Sequence, residues 1–251
     1  MSPWEAVGVL AAGVGAGTIN TVVGSGTLIT FPVLLSVGLP PVSANVSNTI
    51  GLVPGSISGA IGYRAELRGQ RDRLLRLGSA SLLGGLLGAV LLLVLPADAF
   101  KAIVPVLIGL ALVLVVLQPR LARWVADRRQ GDPHPHGGLP LLLGVFGAGV
   151  YGGYFGAAQG VLLLGLMGLL LADTLQRMNA VKNVLALIVN AVSGLFFAFA
   201  APVDWTAALL VAGGSVIGGQ IGARVGRRLP PVALRAVIVA VGCVAIARLL
   251  L

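Results

Sequence analysis

The sequence predicts an all-α polytopic membrane protein built from two inverted-topology repeats. Each repeat is expected to be a re-entrant or broken helical hairpin followed by three transmembrane helices. Three observations carry this expectation. First, 57% of the 251 residues are hydrophobic and 10% are charged, with a mean hydropathy of +1.00, whereas a soluble domain carries about 25% charged residues. Second, apolar runs close to the length of a bilayer span recur at 77–95, 102–117, 183–201 and 232–247. Third, short sequences repeat between the two halves at a nearly fixed spacing.

The repeats set the domain boundaries. "GGLLGA" at 84–89 matches "GGQIGA" at 218–223, and "LPADAFKAIV" at 95–104 matches "LPPVALRAVI" at 229–238, both at an offset of 134. One position further out of step, Asn48, Ser58 and Gly59 match Asn183, Ser193 and Gly194. "VGSGTLI" at 23–29 is similar to "FGAAQGVLL" at 155–163, with a small insertion. The first repeat is therefore expected at 1–118 and the second at 139–251, joined by a polar linker over 119–138 that is rich in Pro and Gly.

The elements follow in chain order. Residues 4–37 are too long for one upright helix and are interrupted by Gly24, Ser25 and Gly26, so they read as a hairpin. Crossings are expected at 44–63, 77–95 and 102–118. A second hairpin, 139–171, is interrupted at Gly156–Gly160, and further crossings are expected at 179–200, 205–226 and 233–251. A hairpin that dips partway and one that crosses twice both keep the number of crossings per half odd.

Charge placement orients the chain. The net charge of +9 does not mark a nucleic-acid binder, because the basic residues lie at loops or helix ends, Lys182 apart. Fifteen of the 17 fall in four regions, which are assigned to the cytoplasm. Arg64, Arg68, Arg71, Arg73 and Arg76 lie in 63–76, and Arg120, Arg123, Arg128 and Arg129 in the linker. Arg177 and Lys182 lie in 172–182, and Arg224, Arg227, Arg228 and Arg235 in 224–235. Only Lys101 and Arg248 remain for the other side. The basic loop follows the second element in the first half but the third element in the second half. Two halves facing opposite ways would give that pattern. The N-terminus has no basic stretch and only Glu5 as an early charge, so no cleaved signal peptide is expected. Cys243 is the sole cysteine, which excludes an internal disulfide.

The break in "NTVVGSGTLITFP" (20–32) suggests a function. Irregular backbone at membrane depth is tolerated only where protein buries it or where it lines a watery cavity. The N–H groups freed at the start of the second half-helix carry partial positive charge and suit an anion. Two such tips from opposed halves would meet near the midplane, the usual place for a transporter's substrate site.

The stretch "VGSGTLITFPVLLSVGLPPVSANVSNTIGLVPGSISGAIGY" (23–63) resembles the first signature of the sulfite exporter TauE/SafE family. "MNAVKNVLALIVNAVSG" (178–194) and the paired "GGxxGA" and "LP" marks fit the same family, and the similarity covers nearly the whole chain. The resemblance implies export of small anions such as sulfite, or of organosulfonates, across a bacterial inner membrane. The family's turn is often three successive glycines, whereas here it is Gly24-Ser25-Gly26 and then Gly156-Ala157-Ala158-Gln159-Gly160.

The candidate substrate-binding residues are Asn20, Gly24, Ser25, Gly26, Thr27, Asn48, Thr49, Tyr154, Gly156, Gln159, Lys182, Asn183 and Asn190. Ser25, Thr27 and Gln159 bring hydroxyl or amide donors to the breaks. Asn20 and Thr21 precede the first break, and Tyr151 and Tyr154 the second, where the tyrosines serve equally well as packing aromatics. Asn179, Asn183, Ala186, Asn190 and Ser193 form one stripe at helical spacing. For Asn190, Ser193 and Ser58, helix packing competes evenly with a pathway role. Lys182 either balances the anion's charge or caps the cytoplasmic end with Arg177 and snorkels. Gly13–Gly17 reads as close helix packing rather than a phosphate loop, since no strand or phosphate-binding Lys accompanies it. His134 and His136 read as a solvated linker rather than a metal site.

No carboxylate or histidine occupies a helix centre, and no phosphate-binding loop indicates ATP use. An anion leaving a cell that is negative inside gains about 2.3 kcal/mol per charge per 100 mV. The expected mechanism is alternating access, driven by voltage and concentration. A passive anion channel, or a carrier of another small anion, is the alternative. The chain lacks the paired groups of an enzyme and the helix-borne ligands of a metal permease. No cofactor is expected. The expected partners are a small anionic substrate and the lipid bilayer, not nucleic acid, with a homodimer left open.

Overall fold

The computed structural model describes residues 1–127 and 137–225, together with 236, 238–241, 243, 244, 246 and 247. Among the described residues there are helices and no strands. The first half gives α1 (Pro3–Val22), α2 (Thr27–Ser36), α3 (Pro41–Gly62), α4 (Arg71–Val94) and α5 (Ala97–Asp127). The second gives α6 (Gly138–Tyr154), α7 (Gln159–Leu170), α8 (Leu175–Ala200) and α9 (Trp205–Val225). Both expected hairpins are helix pairs split at the expected glycines. The described residues inside the expected 233–251 helix are helical.

Local chemistry explains several boundaries. α1 opens with a capping box and Pro3 in its first turn: the Glu5 N–H donates to Ser2 Oγ at 3.3 Å and the Ser2 N–H to Glu5 Oε2 at 2.6 Å. α4 starts at Arg71, so Arg71, Arg73 and Arg76 lie on its first turns rather than in a loop. α5 continues to Asp127 with Pro119 inside it, so 119–127 of the expected linker is helical. Arg128, Arg129, His134 and His136 lie outside the described residues, as do Arg227, Arg228, Arg235 and Arg248.

α1, α4, α5, α8 and α9 are long and apolar enough to cross a membrane. α3 spans 22 residues, about 33 Å at the helical rise, yet it is more polar than these. Its polar side chains are buried in protein instead: Asn45, Ser47, Asn48, Thr49, Ser56 and Ser58 are all inside. α3 and α8 run in opposite directions. Tyr63, just past the end of α3, packs with Ala180 near the start of α8 and Ala223 near the end of α9. At the other end, the Asp204 N–H beyond α8 donates to Ser47 Oγ near the start of α3 at 2.9 Å.

Small polar groups lock these helices together, as expected where lipid removes the usual apolar driving force. Asn190 Nδ2 donates to Ser56 Oγ at 3.3 Å, Ser193 Oγ to the Gly85 carbonyl at 3.1 Å, and Ser58 Oγ to the Val216 carbonyl at 3.0 Å. Asn190, Ser193 and Ser58 thus sit in helix–helix contacts.

Glycines on every fourth residue bring α1 against α9 and α4 against α6. A Cβ on Gly218 would lie 2.1 Å from the Val14 carbonyl oxygen, and one on Gly17 would lie 2.3 Å from that of Ser215. In the second pair, a Cβ on Gly88 would lie 2.1 Å from the Val150 oxygen, and one on Gly153 the same distance from that of Gly85. Gly13 and Gly17 are therefore a packing ridge. Each pair joins an arm of one hairpin to a long helix of the other half.

One polar cluster fastens the loop after α3 to the turn before α8. Asp173 Oδ2 lies 2.6 Å from Arg73 Nη1 and its Oδ1 lies 2.9 Å from Arg177 Nε. Gln70 Nε2 donates to the Glu66 carbonyl at 2.8 Å and to the Arg177 carbonyl at 3.3 Å. Burial pushes the Asp173 pKa up. The Arg73 hydrogen bond, the Thr174 N–H and the Arg177 and Arg73 charges outweigh this and hold the carboxyl below its ordinary value.

Two predictions follow from this packing. Gly88→Leu or Gly218→Leu forces apart helices whose backbones touch and should cost on the order of 3 kcal/mol or more, read as loss of the monodisperse peak on gel filtration in detergent. Gly8→Ala, with nothing within 4 Å of the added carbon, should leave that peak intact. Asp173→Asn should lower the thermal midpoint, by about 1–2 kcal/mol in stability. Because the folded carboxyl titrates below its unfolded value, its contribution is present above about pH 4. It is lost as pH falls through the lower, folded value, so wild type and Asp173→Asn should converge in acid.

Candidate functional site

The two hairpin breaks are built alike. After α1 the Val23 and Gly24 N–H groups both reach back to the Ile19 carbonyl, at 2.7 and 3.0 Å. After α6 the Phe155 and Gly156 N–H groups both reach the Tyr151 carbonyl, at 2.9 and 3.0 Å. The chain then turns through left-handed conformations at Gly24 (φ +86°) and Gly156 (φ +77°), where glycine carries no Cβ penalty. Ala158 adopts φ +60° and caps α7, a strained setting for a residue with a side chain.

The breaks touch each other. The Gly160 N–H donates to the Gly24 carbonyl at 3.1 Å. A Cβ on Gly24 would lie 2.4 Å from Gly160 Cα, and one on Gly160 would lie 2.5 Å from Gly24 Cα. Only two glycines permit this approach. Gly26 is confined similarly, 2.5 Å from the Ala16 oxygen to a built Cβ.

Each first arm ends against a long helix of the other half. Lys182 on α8 is fully buried, and its Nζ donates to the carbonyls of Asn20 and Thr21 at 2.9 and 3.1 Å. Asn179 and Asn183 Nδ2 both donate to the Thr21 carbonyl at 3.3 Å. These are the last carbonyls of α1, the negative end of its dipole. Asn45 on α3 does the same for α6, its Nδ2 donating to the Tyr154 carbonyl at 3.0 Å. The snorkelling of Lys182 beside Arg177 is overturned: with no exposure, the side chain turns inward, past Gly160, whose built Cβ would lie 2.9 Å from Lys182 Cδ.

The second arms start with free donors. The Ser25, Gly26, Thr27, Ala157 and Ala158 N–H groups have no hydrogen-bond partner among the described residues, and all five residues are buried. Ser25 Oγ and Gln159 Nε2 are buried without a partner as well. Such orphaned donors are rare in a protein interior. Asn48 is occupied locally: Nδ2 donates to Thr27 Oγ1 at 3.2 Å while Oδ1 accepts from Thr30 Oγ1. Thr49 Oγ1 turns back to the Asn45 carbonyl at 2.9 Å. Tyr154 stacks edge-on against Phe100 at 5.6 Å and leaves its hydroxyl unpartnered, whereas the Tyr151 hydroxyl donates to the Ala157 carbonyl.

The meeting of the tips therefore gathers Gly24, Ser25, Gly26, Thr27, Gly156, Gln159, Lys182 and Asn183, with Asn20 contributing its carbonyl. Asn48 supports α2, and Asn190 lies two turns further along α8. Asn45 and Asn179 went unselected as binding residues, although Asn45 lies one helical turn before Asn48 and Asn179 one turn before Asn183. Ala158 carries no comparable signal, because a left-handed alanine is invisible in sequence. Among the described residues, no group of three His, Cys, Asp or Glu side chains is placed to hold a metal ion.

A charge count completes the site. Each helix end carries about half a unit, positive at the N-terminus and negative at the C-terminus. α2 and α7 present N-termini, α1 and α6 present C-termini, and the four nearly cancel. Lys182 is the buried basic side chain at these tips.

Comparison with known proteins gives the family. The family model described as "Sulfite exporter TauE/SafE" matches residues 9–249. A relative named "Probable membrane transporter protein YfcA" in Escherichia coli strain K12 is 29% identical over 237 residues, covering 94% of this chain and 86% of its own. "Probable membrane transporter protein ORF9" of a Sinorhizobium species is 30% identical over 223 residues, covering 83% and 78%. A "Probable membrane transporter protein" of Haemophilus influenzae is 29% identical over 210 residues, covering 83% and 80%. No solved structure matches at a significant level. With apolar helices long enough to span a bilayer and a family match from end to end, the chain belongs to the sulfite exporter TauE/SafE family of membrane transporters.

Proposed function

We propose that this transporter exports small sulfur oxyanions such as sulfite, or organosulfonates, from a bacterial cell, holding the anion where the two hairpin tips meet. The observation that carries the reading is the set of buried, unpaired donors on the residues flanking the Gly24–Gly160 contact: five backbone N–H groups, Ser25 Oγ and Gln159 Nε2. An oxyanion offers several acceptor oxygens and would satisfy them together. Two of the three ammonium hydrogens of Lys182 are committed to carbonyls, and the third is available to the anion.

The mechanism we propose is alternating access by an inverted repeat, with the anion near the bilayer midplane. The opposite directions of α3 and α8 support inversion. So does the exchange of partners between halves, α1 with α9 and α6 with α4. The loop 63–70, the turn before α8 and the end of α9 gather at one end of the molecule. We assign that end, with the 119–138 linker, to the cytoplasm of the inner membrane, because basic residues concentrate there. Voltage and concentration would then drive the anion outward.

Two measurements test this. Sulfite should bind the purified protein in calorimetry, and Ser25→Ala and Gln159→Leu should each weaken it about tenfold or more, since a hydrogen bond to a charge contributes about 1.5–3 kcal/mol. Unchanged affinity in both folded variants removes the tips as the site. In a Cys243→Ser background, cysteines at Arg64 and Arg224 should react with impermeant maleimide from one side of the membrane and one at Lys101 from the other. Labelling of positions 64 and 224 from opposite sides overturns the inverted topology.

A further inference from the structure

We propose that the parts moving against each other in this carrier are not the two sequence repeats but two bodies that exchange helices between them. The inference rests on the proposed alternating access and names its moving units. Body one holds α1, α2, α3 and α9, from 1–62 and 205–225. Body two holds α4 to α8, the helices of 71–200.

Inside each body one helix is pressed between two others at backbone distance. In body one that helix is α9. A Cβ on Gly13 would lie 2.9 Å from the Val211 carbonyl oxygen, and one on Gly214 2.3 Å from that of Leu10, joining α9 to α1. Cβ atoms on Gly55 and Gly219 would lie 2.7 and 2.6 Å from the Ser215 and Gly55 oxygens, joining it to α3. Ser215 Oγ also donates to the Gly51 carbonyl at 2.8 Å. In body two the middle helix is α4. A Cβ on Gly84 would lie 2.3 Å from the Phe146 oxygen of α6, and one on Gly85 would lie 3.2 Å from Val189 Cα of α8. Leu77, Val145, Leu163, Met167, Val181 and Leu185 belong to one apolar cluster whose described members all fall within 71–200. Interiors packed this closely transmit displacement rather than absorb it, so each body moves as one.

The seam between the bodies is of another kind. α3 meets α8 at ordinary van der Waals distance: a Cβ on Gly194 would lie 3.4 Å from Ile50 Cγ1 and 3.5 Å from its Cα. Side chains make much of the remaining seam. Asn190 bonds Ser56, Lys182, Asn179 and Asn183 bond the end of α1, and Asn45 bonds the end of α6. Phe31 meets Phe155 edge-on at 5.2 Å. Such bonds can be exchanged for bonds to water or a ligand, whereas a backbone seated among glycines cannot slide without unpacking. Backbone meets backbone across the seam at Gly24 and Gly160, where the proposed anion sits.

Among the described residues, 63–70 and 201–204 connect the bodies, at opposite ends of the molecule. Each is fastened at its far end. Arg177 Nη1 donates to the Arg68 carbonyl at 3.2 Å, and Gln70 Nε2 donates to the Arg177 carbonyl, tying 68–70 to body two. The Asp204 N–H donates to Ser47 Oγ, and Asp204 Oδ1 accepts from the Ala207 N–H at 2.8 Å, tying Asp204 to body one. Residues 64–67 and 201–203 then take up the change in dihedral angles, as short hinges do.

The test uses the full-length protein in a Cys243→Ser background. Val7 and Ile221 belong to different repeats but to one body, whereas Val7 and Leu83 belong to one repeat but to different bodies, and all three are exposed. Nitroxide labels in lipid nanodiscs, read by double electron–electron resonance, should give one narrow distance distribution for Val7→Cys/Ile221→Cys. They should give a broad or two-peaked one for Val7→Cys/Leu83→Cys. A broad distribution for the first pair, or a narrow one for the second, overturns the two bodies. Transport supplies a second reading. In proteoliposomes, a reversible thiol cross-link between Ile50→Cys and Gly194→Cys, across the seam, should abolish sulfite efflux until reductant is added. One between Leu10→Cys and Gly213→Cys lies within body one, where a Cβ on Gly213 would be 3.7 Å from Leu10 Cδ1, and should leave efflux at the rate before cross-linking. Efflux blocked by the second link, or surviving the first, overturns the inference. If the protein moves no sulfite before cross-linking, the functional reading fails instead, and the spin-label distances still decide the moving bodies.

Discussion

Everything in this fold answers to one constraint: a backbone broken inside lipid must have its polar groups satisfied by protein. α1 and α6 each stop within the bundle, and each leaves terminal carbonyls there. The structure satisfies these with side chains from the opposite half, Lys182, Asn179 and Asn183 for α1 and Asn45 for α6. A hairpin of one half is thus completed by a helix of the other. Neither half closes its own break.

The same constraint explains the composition of the central helices. α3 is too polar to face lipid, and its Asn, Ser and Thr side chains are buried against α8, α9 and the breaks. The glycine ridges serve the same end. By letting α1 reach α9 and α6 reach α4 at backbone contact, they seat the hairpin arms deep enough for their tips to meet. Close packing on the outside and unpaired donors at the centre are two results of one arrangement. The Asn20, Thr21 and Tyr154 carbonyls are capped by side chains of the opposite half, whereas the amide ends keep unpaired N–H groups.

The unevenness of the two tips matters for chemistry. The halves are alike in glycine geometry, but only α8 carries a lysine at the carbonyl end, where the matching position of α3 is Ser47, which takes the Asp204 N–H. A pair of equivalent tips would be nearly neutral in sum. The single lysine makes the two tips chemically unlike.

Composition, periodicity and repeated motifs by themselves determined the class, the two hairpins and their breaks, the cores of the long helices, and some of the polar residues near the tips. These are local properties, since hydropathy and glycine placement act on neighbouring residues. Sequence did not decide what each polar residue meets. Lys182 lies seven residues into α8, a depth equally suited to a snorkelling cation and a buried one. Its direction depends on α1 ending beside it, more than 160 positions away in the chain. Asn190 and Asn183 look equivalent on one stripe, yet one binds a neighbouring helix and the other a broken helix end. The Gly24–Gly160 contact and the left-handed Ala158 arise only when two remote segments are pressed together, so tertiary packing alone could settle them.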